Sequence, residues 1–143
     1  MSNLKKLEQG RAEEAYIKAV NAKGKPYAED YKQLVKKVPM LIKTNGLGAT
    51  FAFLQSKSKN LSDTEHTQVL IDVAEWLKID IKKDLIFKSS EKDFDKSGKD
   101  LAKSMVQRTV QMESSEYRAI TLEVLAFLNW LKRFTDGLIE KKK

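Results

Sequence analysis

The segment from Asp93 to Gly98 is the best candidate in the sequence for metal chemistry. Its order, Asp-Phe-Asp-Lys-Ser-Gly, matches the start of a calcium-binding loop, with oxygen ligands at positions one, three and five and glycine at position six. The match then ends, because position eight is the charged Asp100 and position twelve is Ser104, where a bidentate glutamate belongs. The pattern therefore favours an ordinary solvated loop over a metal site.

His66 is the only histidine, and this limits the other chemistry open to the chain. It precedes Val69 and Leu70 by three and four residues, on the apolar side of a predicted helix, which is typical of a structural side chain at the edge of a core. Cysteine is absent, so disulfides, zinc–thiolate sites and cysteine nucleophiles are excluded. Gly46-Leu47-Gly48 lacks the strand and the Gly-Lys-Ser/Thr of a phosphate-binding loop. We predict no catalytic residue, metal or cofactor.

The basic residues are more informative than these motifs. The 27 lysines and arginines outnumber 20 acidic residues, giving a net charge of +7, and the excess is largest within residues 1–44. A basic excess gathered on part of a chain suggests a polyanionic partner, most commonly nucleic acid. Lys32, Lys36 and Lys43 lie within about 40° on a helical wheel if their helix persists through Pro39. Such a stripe could meet successive phosphates or simply be a solvated face.

Helices must position these residues, since apolar side chains recur at three- and four-residue spacing along most of the chain. Two prolines and six glycines in 143 residues also favour long helices over short strands. The sequence predicts an all-α fold, a single helical bundle over residues 1–143 with the longest helix at the C-terminus. We expect about five to six helices, which cover Leu4–Lys23, Tyr27–Ile42, Leu47–Lys57, a stretch opening at Ser62, Lys99–Met112 and Ser114–Ile139.

Residues at the boundaries and interruptions of the predicted helices indicate three local features. Pro39 predicts either a kink or the start of a new helix. Ser62, followed three residues later by Glu65, has the pattern of a capping box. Residues 88–98, where the apolar periodicity fails, are predicted to form a mobile surface loop.

The remaining composition predicts a cytoplasmic protein without membrane contact. The N-terminal residues MSNLKKLEQG contain no apolar stretch of signal-peptide length. Nowhere does the chain approach about 18 uninterrupted apolar residues, the length a membrane span requires.

Two longer blocks together resemble a known family. The first, from Val38 to Leu54, reads VPMLIKTNGLGATFAFL, and the second, from Tyr117 to Phe134, reads YRAITLEVLAFLNWLKRF. A proline-led helix, an Asn-Gly-Leu turn into a Phe-rich helix and a final Trp-Leu-Lys-Arg-Phe helix are similar to the small helical subunit of the type III-B CRISPR effector, the Cmr complex. The resemblance is weakest over residues 79–99.

The resemblance implies a structural subunit without nuclease or cyclase activity, since those activities belong to other subunits of the complex. It implies partners of four kinds: other Cmr-complex subunits, copies of itself in a stacked filament, guide RNA and target RNA. Basic and polar residues within the two blocks become the first candidates for RNA contact, ahead of the two lysines that precede them. The candidates in that order are Lys43, Asn45, Arg118, Lys132 and Arg133, then Lys36 and Lys32.

Two alternatives compete with an RNA-binding subunit. One is a protein–protein adaptor whose basic face docks on acidic partner surfaces without touching RNA. The other is a helical DNA-binding regulator, in which Asn45-Gly46 would form the turn before a recognition helix. The segment from Leu47 to Leu54 is too apolar to face a DNA groove, which disfavours the regulator.

Overall fold

The computed structural model describes residues 3–59, 62–79 and 97–140, and the side chains of residues 3–5 are not described. Within these residues the chain forms six helices and no strand, which confirms the predicted all-α bundle. The longest helix is the last, as predicted. In chain order the helices are α1 (Asn3–Lys23), α2 (Ala28–Asn45), α3 (Leu47–Lys57), α4 (Glu65–Ile79), α5 (Gly98–Gln111) and α6 (Ser114–Leu138).

Helix α2 runs through Pro39 without ending, so no new helix begins there. Proline removes one backbone hydrogen bond from a helix interior and crowds the preceding turn. Burial of Val35, Val38 and Ile42 on either side offsets this cost, because all three side chains lie in the core. The persistence of α2 places Lys32, Lys36 and Lys43 on one side, next to α6.

Helix α4 begins three residues later than the predicted capping box. The Thr64 hydroxyl accepts a hydrogen bond from the backbone N–H of Thr67 at 3.3 Å, and therefore caps the helix. Ser62 instead donates its hydroxyl to the carbonyl of Ser58 at 2.9 Å. The capping-box prediction was wrong because Ser62 is engaged by the turn before it. Residues 88–96 of the predicted mobile loop, and with them most of the calcium-like motif, lie outside the described residues, while Gly98 at its end belongs to α5.

Helix α6 packs mainly against α1 and α2, while α4 packs against α5, α2 and α3. The face of α1 that enters the core is built largely from alanine, and small side chains allow helix axes to approach closely. Larger groups fill the space deeper in, where the rings of Trp76 and Phe127 stack with centroids 5.6 Å apart. The buried alanines of α1 are Ala15, Ala19 and Ala22.

Glu123 of α6 is a fully buried carboxylate that joins three helices. Its Oε2 and Oε1 accept hydrogen bonds from Nε and Nη2 of Arg11 in α1, at 2.7 and 2.8 Å. Oε2 also accepts the indole N–H of Trp76 in α4 at 3.1 Å. A bidentate guanidinium with a third donor is the arrangement that lets a buried charge be tolerated.

Asp72 of α4 is a second buried carboxyl group, and its surroundings differ from those of Glu123. The Tyr31 hydroxyl donates to its Oδ2 at 2.5 Å, and the Gln68 amide donates to its Oδ1 at 2.8 Å. Burial raises the pKa of Asp72 to about 7, although the hydrogen bonds from Tyr31 and Gln68 and the charge of Lys18 oppose the shift. The folded protein therefore holds a proton here more tightly than the unfolded chain does.

We expect Glu123→Ala to lower the free energy of unfolding by about 3–5 kcal/mol, because it leaves the guanidinium of Arg11 and the indole N–H of Trp76 without this acceptor. Urea denaturation followed by circular dichroism measures the loss. Glu113→Ala is the control, since Glu113 is exposed and its loss should cost under about 0.5 kcal/mol. Equal losses in the two variants would show that the Glu123 cluster does not hold the helices together.

We expect Asp72 to make stability fall as the pH rises. Because its folded pKa is about 7 and the ordinary value is 3.8, the contribution is complete below pH 3.8 and is lost as the pH passes through 7. Asp72→Asn removes the titrating group and keeps its shape. The free energies of unfolding of wild type and variant, measured from pH 4 to pH 8, should therefore diverge, with the wild type losing more. Parallel profiles would contradict this expectation.

Candidate nucleic-acid interface

A groove runs between α2 and α6 on the surface of the bundle. Its volume is about 340 Å³, and it is hereafter called the α2–α6 groove. Proline, leucine and alanine side chains form much of its wall, and two lysines and an asparagine supply its polar groups. The lining residues are Pro39 and Lys43 from α2 and Leu125, Ala126, Asn129 and Lys132 from α6.

Lys43 and Lys132 bring two positive charges to this groove from separate helices. Both residues are exposed, and no carboxylate in the described part of the chain forms an ion pair with either of them. Asp136 interacts with Lys132 only at longer range than an ion pair, so the two converging like charges create a positive potential that attracts anions. Asn129, also exposed, adds an uncharged hydrogen-bonding group to the groove. These side chains can bind an anionic polymer by contacting the charged groups of the polymer's own backbone.

Lys32 does not belong to an exposed basic stripe, contrary to the expectation from the helical wheel. It is buried, and its ammonium group donates to the backbone carbonyl of Ile139 at 2.7 Å. This carbonyl lies just beyond the end of α6, where helix carbonyls lack partners and a cation is favourable. Lys32 therefore serves the end of α6, and we leave it out of the interface.

Lys36 lies one turn further along α2 and is only partly accessible. Its ammonium group is 3.0 Å from Oδ1 of Asp136, and that carboxylate is also 3.9 Å from the ammonium group of Lys32. The N-terminal part of the predicted stripe is therefore partly neutralised within the protein. Only its C-terminal member, Lys43, opens onto the groove without a carboxylate partner among the described residues.

Asn45 lies at the turn between α2 and α3, and Arg118 follows Tyr117 near the start of α6. Gly46 has a φ of +91° in this turn, a conformation that side chains disfavour. The hydroxyl of Tyr117 accepts the backbone N–H of Gly48 at 2.7 Å, so the turn is attached to the start of α6. Asn45 and Arg118 are both exposed there. A helical rise of 1.5 Å per residue puts Arg118 about 21 Å along α6 from Lys132.

Arg133 lies beside Lys132 in the sequence but faces a different surface. Its guanidinium carbon is 5.9 Å from the ring centroid of Trp130, and that ring stacks on Phe134 at 5.8 Å. Tyr16 of α1 meets Phe134 edge-on at 5.3 Å. The structure therefore brings Lys43 and Lys132 together and places Arg133 with the aromatic residues next to α1.

Sequence reasoning missed an exposed apolar face on α1, which the rings of Phe134 and Trp130 extend onto α6. In α1, Tyr16, Ile17 and Val20 are 48%, 50% and 47% exposed. The signal was present, because alanines occupy the core face of α1 and its larger apolar residues must therefore lie elsewhere. The α1–α6 aromatic surface, as we call it, consists of Tyr16, Ile17, Val20, Trp130 and Phe134.

His66 packs against two neighbouring side chains. Its Nδ1 is 3.3 Å from Oε1 of Glu65, and its ring meets that of Phe53 edge-on. The described residues contain no group of three or more histidine, cysteine, aspartate or glutamate side chains suited to a metal ion. None of the helices within residues 3–59, 62–79 and 97–140 has the length and apolarity of a membrane span.

Comparisons with known proteins agree with one another. The family described as CRISPR-associated protein (Cas_Cmr5) matches residues 7–138. The CRISPR system Cmr subunit Cmr5 of Thermus thermophilus is 27% identical over 130 residues, which are 91% of this chain and 93% of that protein. The X-ray crystal structure of a CRISPR-associated Cmr5 family protein from the same organism matches with a TM-score of 0.71 and 25% identity, covering 93% of this chain and 97% of that one.

Proposed function

Because this chain belongs to the Cmr5 family of CRISPR-associated proteins, we propose that it is a non-catalytic structural subunit of a type III-B CRISPR ribonucleoprotein effector. It acts in the cytoplasm in antiviral defence, stacks with like subunits and contacts the backbone of guide and target RNA. Family membership supports its place as a small subunit of the Cmr complex. The RNA contact rests on the geometry of this chain.

The observation that carries the RNA contact is the convergence of Lys43 and Lys132 on the α2–α6 groove. Two ammonium groups that form no ion pair within the described residues suit phosphates, and the groove lining adds one further polar side chain, Asn129, that could read a base edge. Guide pairing supplies sequence recognition in an RNA-guided complex, so the protein need only hold the backbone. Arg118, near the start of α6, and Asn45, at the end of α2, are exposed candidates for further contacts.

The salt dependence of RNA binding tests this function. For single-stranded RNA, log affinity falls with log salt at a slope of about −0.7 per phosphate neutralised. We expect Lys43→Gln with Lys132→Gln to make the slope shallower by about 1.4, as two phosphate contacts are lost. Fluorescence anisotropy with a labelled single-stranded RNA, measured across a series of salt concentrations, gives the slope.

Lys99→Gln with Lys103→Gln is the matched control. It removes the same charge from exposed positions on α5, away from the groove. The control should lower affinity slightly through the net charge and leave the slope close to that of the wild type. If the two double variants behave alike, the protein attracts RNA through diffuse charge and the groove is not a binding site.

A second candidate function is a protein–protein adaptor that never touches RNA, and the α1–α6 aromatic surface favours it. Tyr16, Ile17 and Val20 of α1 are about half exposed, and the ring of Tyr16 contacts that of Phe134, which stacks on Trp130. Contiguous apolar surface of this kind marks protein interfaces, where tyrosine, tryptophan and arginine are enriched. In either function we propose that this surface contacts neighbouring subunits of the complex.

We expect Tyr16→Ser with Val20→Ser to keep its helical content but to reduce co-purification of other Cmr subunits by at least several-fold. Met40→Ser with Leu122→Ser is the control, because these side chains are more exposed, at 66% and 67%, and lie outside the aromatic surface. Co-purification that survives RNase, together with the absence of RNA crosslinks to this chain, would select the adaptor. Equal retention by both variants would remove the aromatic surface from the interface.

A further inference from the structure

Asp136 of α6 lies among lysines at one end of the α2–α6 groove. Its Oδ1 is 3.0 Å from the ammonium group of Lys36 and 3.9 Å from that of Lys32. The hydrogen bond and charge of Lys36 hold the pKa of Asp136 below its usual range, and the charge of Lys132 acts in the same direction. The carboxylate of Asp136 thus interacts with three lysines, of which Lys132 lines the α2–α6 groove and Lys36 lies near its end.

The two lysines that contact Asp136 are held differently. Lys32 is buried and has a second acceptor in the Ile139 carbonyl, so it stays in place whatever happens to Asp136. Lys36 is 36% exposed, and Asp136 is its one carboxylate partner among the described residues. Asp136 itself is 57% exposed. Ion pairs as accessible as this one contribute little to stability, so another anion can replace the carboxylate.

We propose that Asp136 is an internal competitor of RNA, which occupies Lys36 until an RNA phosphate replaces it. This inference rests on the proposed RNA contact of the α2–α6 groove and extends that site by one residue. Lys36 lies seven residues before Lys43 in a continuous helix, a distance of about 10 Å. When the phosphate binds Lys36, the carboxylate of Asp136 turns into solvent. RNA binding therefore includes the breaking of one ion pair within the protein.

Four chains test the proposal: the wild type, Asp136→Asn, Lys36→Gln and the double variant. Binding of a labelled single-stranded RNA is measured at one low salt concentration. We expect Asp136→Asn to tighten binding about two- to five-fold, the range for release of an exposed ion pair. Lys36→Gln should weaken binding only slightly in the wild type. In the Asp136→Asn background it should abolish most of the gain, because Lys36 is the group that the variant releases.

The interaction between the two substitutions decides the outcome. If the effects on affinity simply multiply, Asp136 acts only through long-range repulsion of RNA and the proposal is overturned. Glu140→Gln is the matched control, since it removes one exposed negative charge near the same end of α6 and has no lysine partner among the described residues. A gain in Glu140→Gln equal to that in Asp136→Asn would overturn the proposal in the same way.

The design separates this inference from the proposed function. If removing Lys43 and Lys132 leaves the salt slope unchanged, the groove is not the RNA site and both proposals fail together. If that slope becomes shallower while the effects of Asp136 and Lys36 are independent, only the competitor role fails. Thermal melts of all four chains check that the fold is intact, which we expect because both substituted side chains are accessible.

Discussion

The arrangement of α1, α4 and α6 depends on how the carboxylate of Glu123 is satisfied. A buried charge is costly unless donors surround it, and here Arg11 and Trp76 approach it from two other helices. The three helices must be placed so that the donors from Arg11 and Trp76 all reach this carboxylate. Apolar burial alone would favour many packings, and this cluster helps to select one of them.

That placement sets the surface as well as the core. With α6 held against α1, one edge of α6 faces α2 and forms the groove with Lys43 and Lys132, while the other carries Trp130 and Phe134 toward Tyr16. Lys132 and Arg133, adjacent in the chain, therefore serve different surfaces. A single helix thus offers a cationic groove on one side and an aromatic face on the other, which suits a subunit with both RNA and protein neighbours.

The helical periodicity was enough to predict the bundle and the long final helix, because apolar spacing is a local property of the sequence. It was also enough to place Lys32, Lys36 and Lys43 on one side of α2. Periodicity carries no information about what lies opposite that side. The carbonyl of Ile139 and the carboxylate of Asp136 are far from these lysines in the chain, and they determine which lysines remain accessible.

The alanine-rich contact face of α1 has a consequence for how this protein can vary. With only methyl groups at Ala15, Ala19 and Ala22, the axes of α1 and α6 can lie close together. The Arg11–Glu123 ion pair and the Tyr16–Phe134 ring contact both form at that separation. A bulkier apolar residue at any of the three positions would act as a spacer. It would lengthen the contacts on both flanks of α1 at once, so steric room rather than hydrophobicity governs which substitutions the helix accepts.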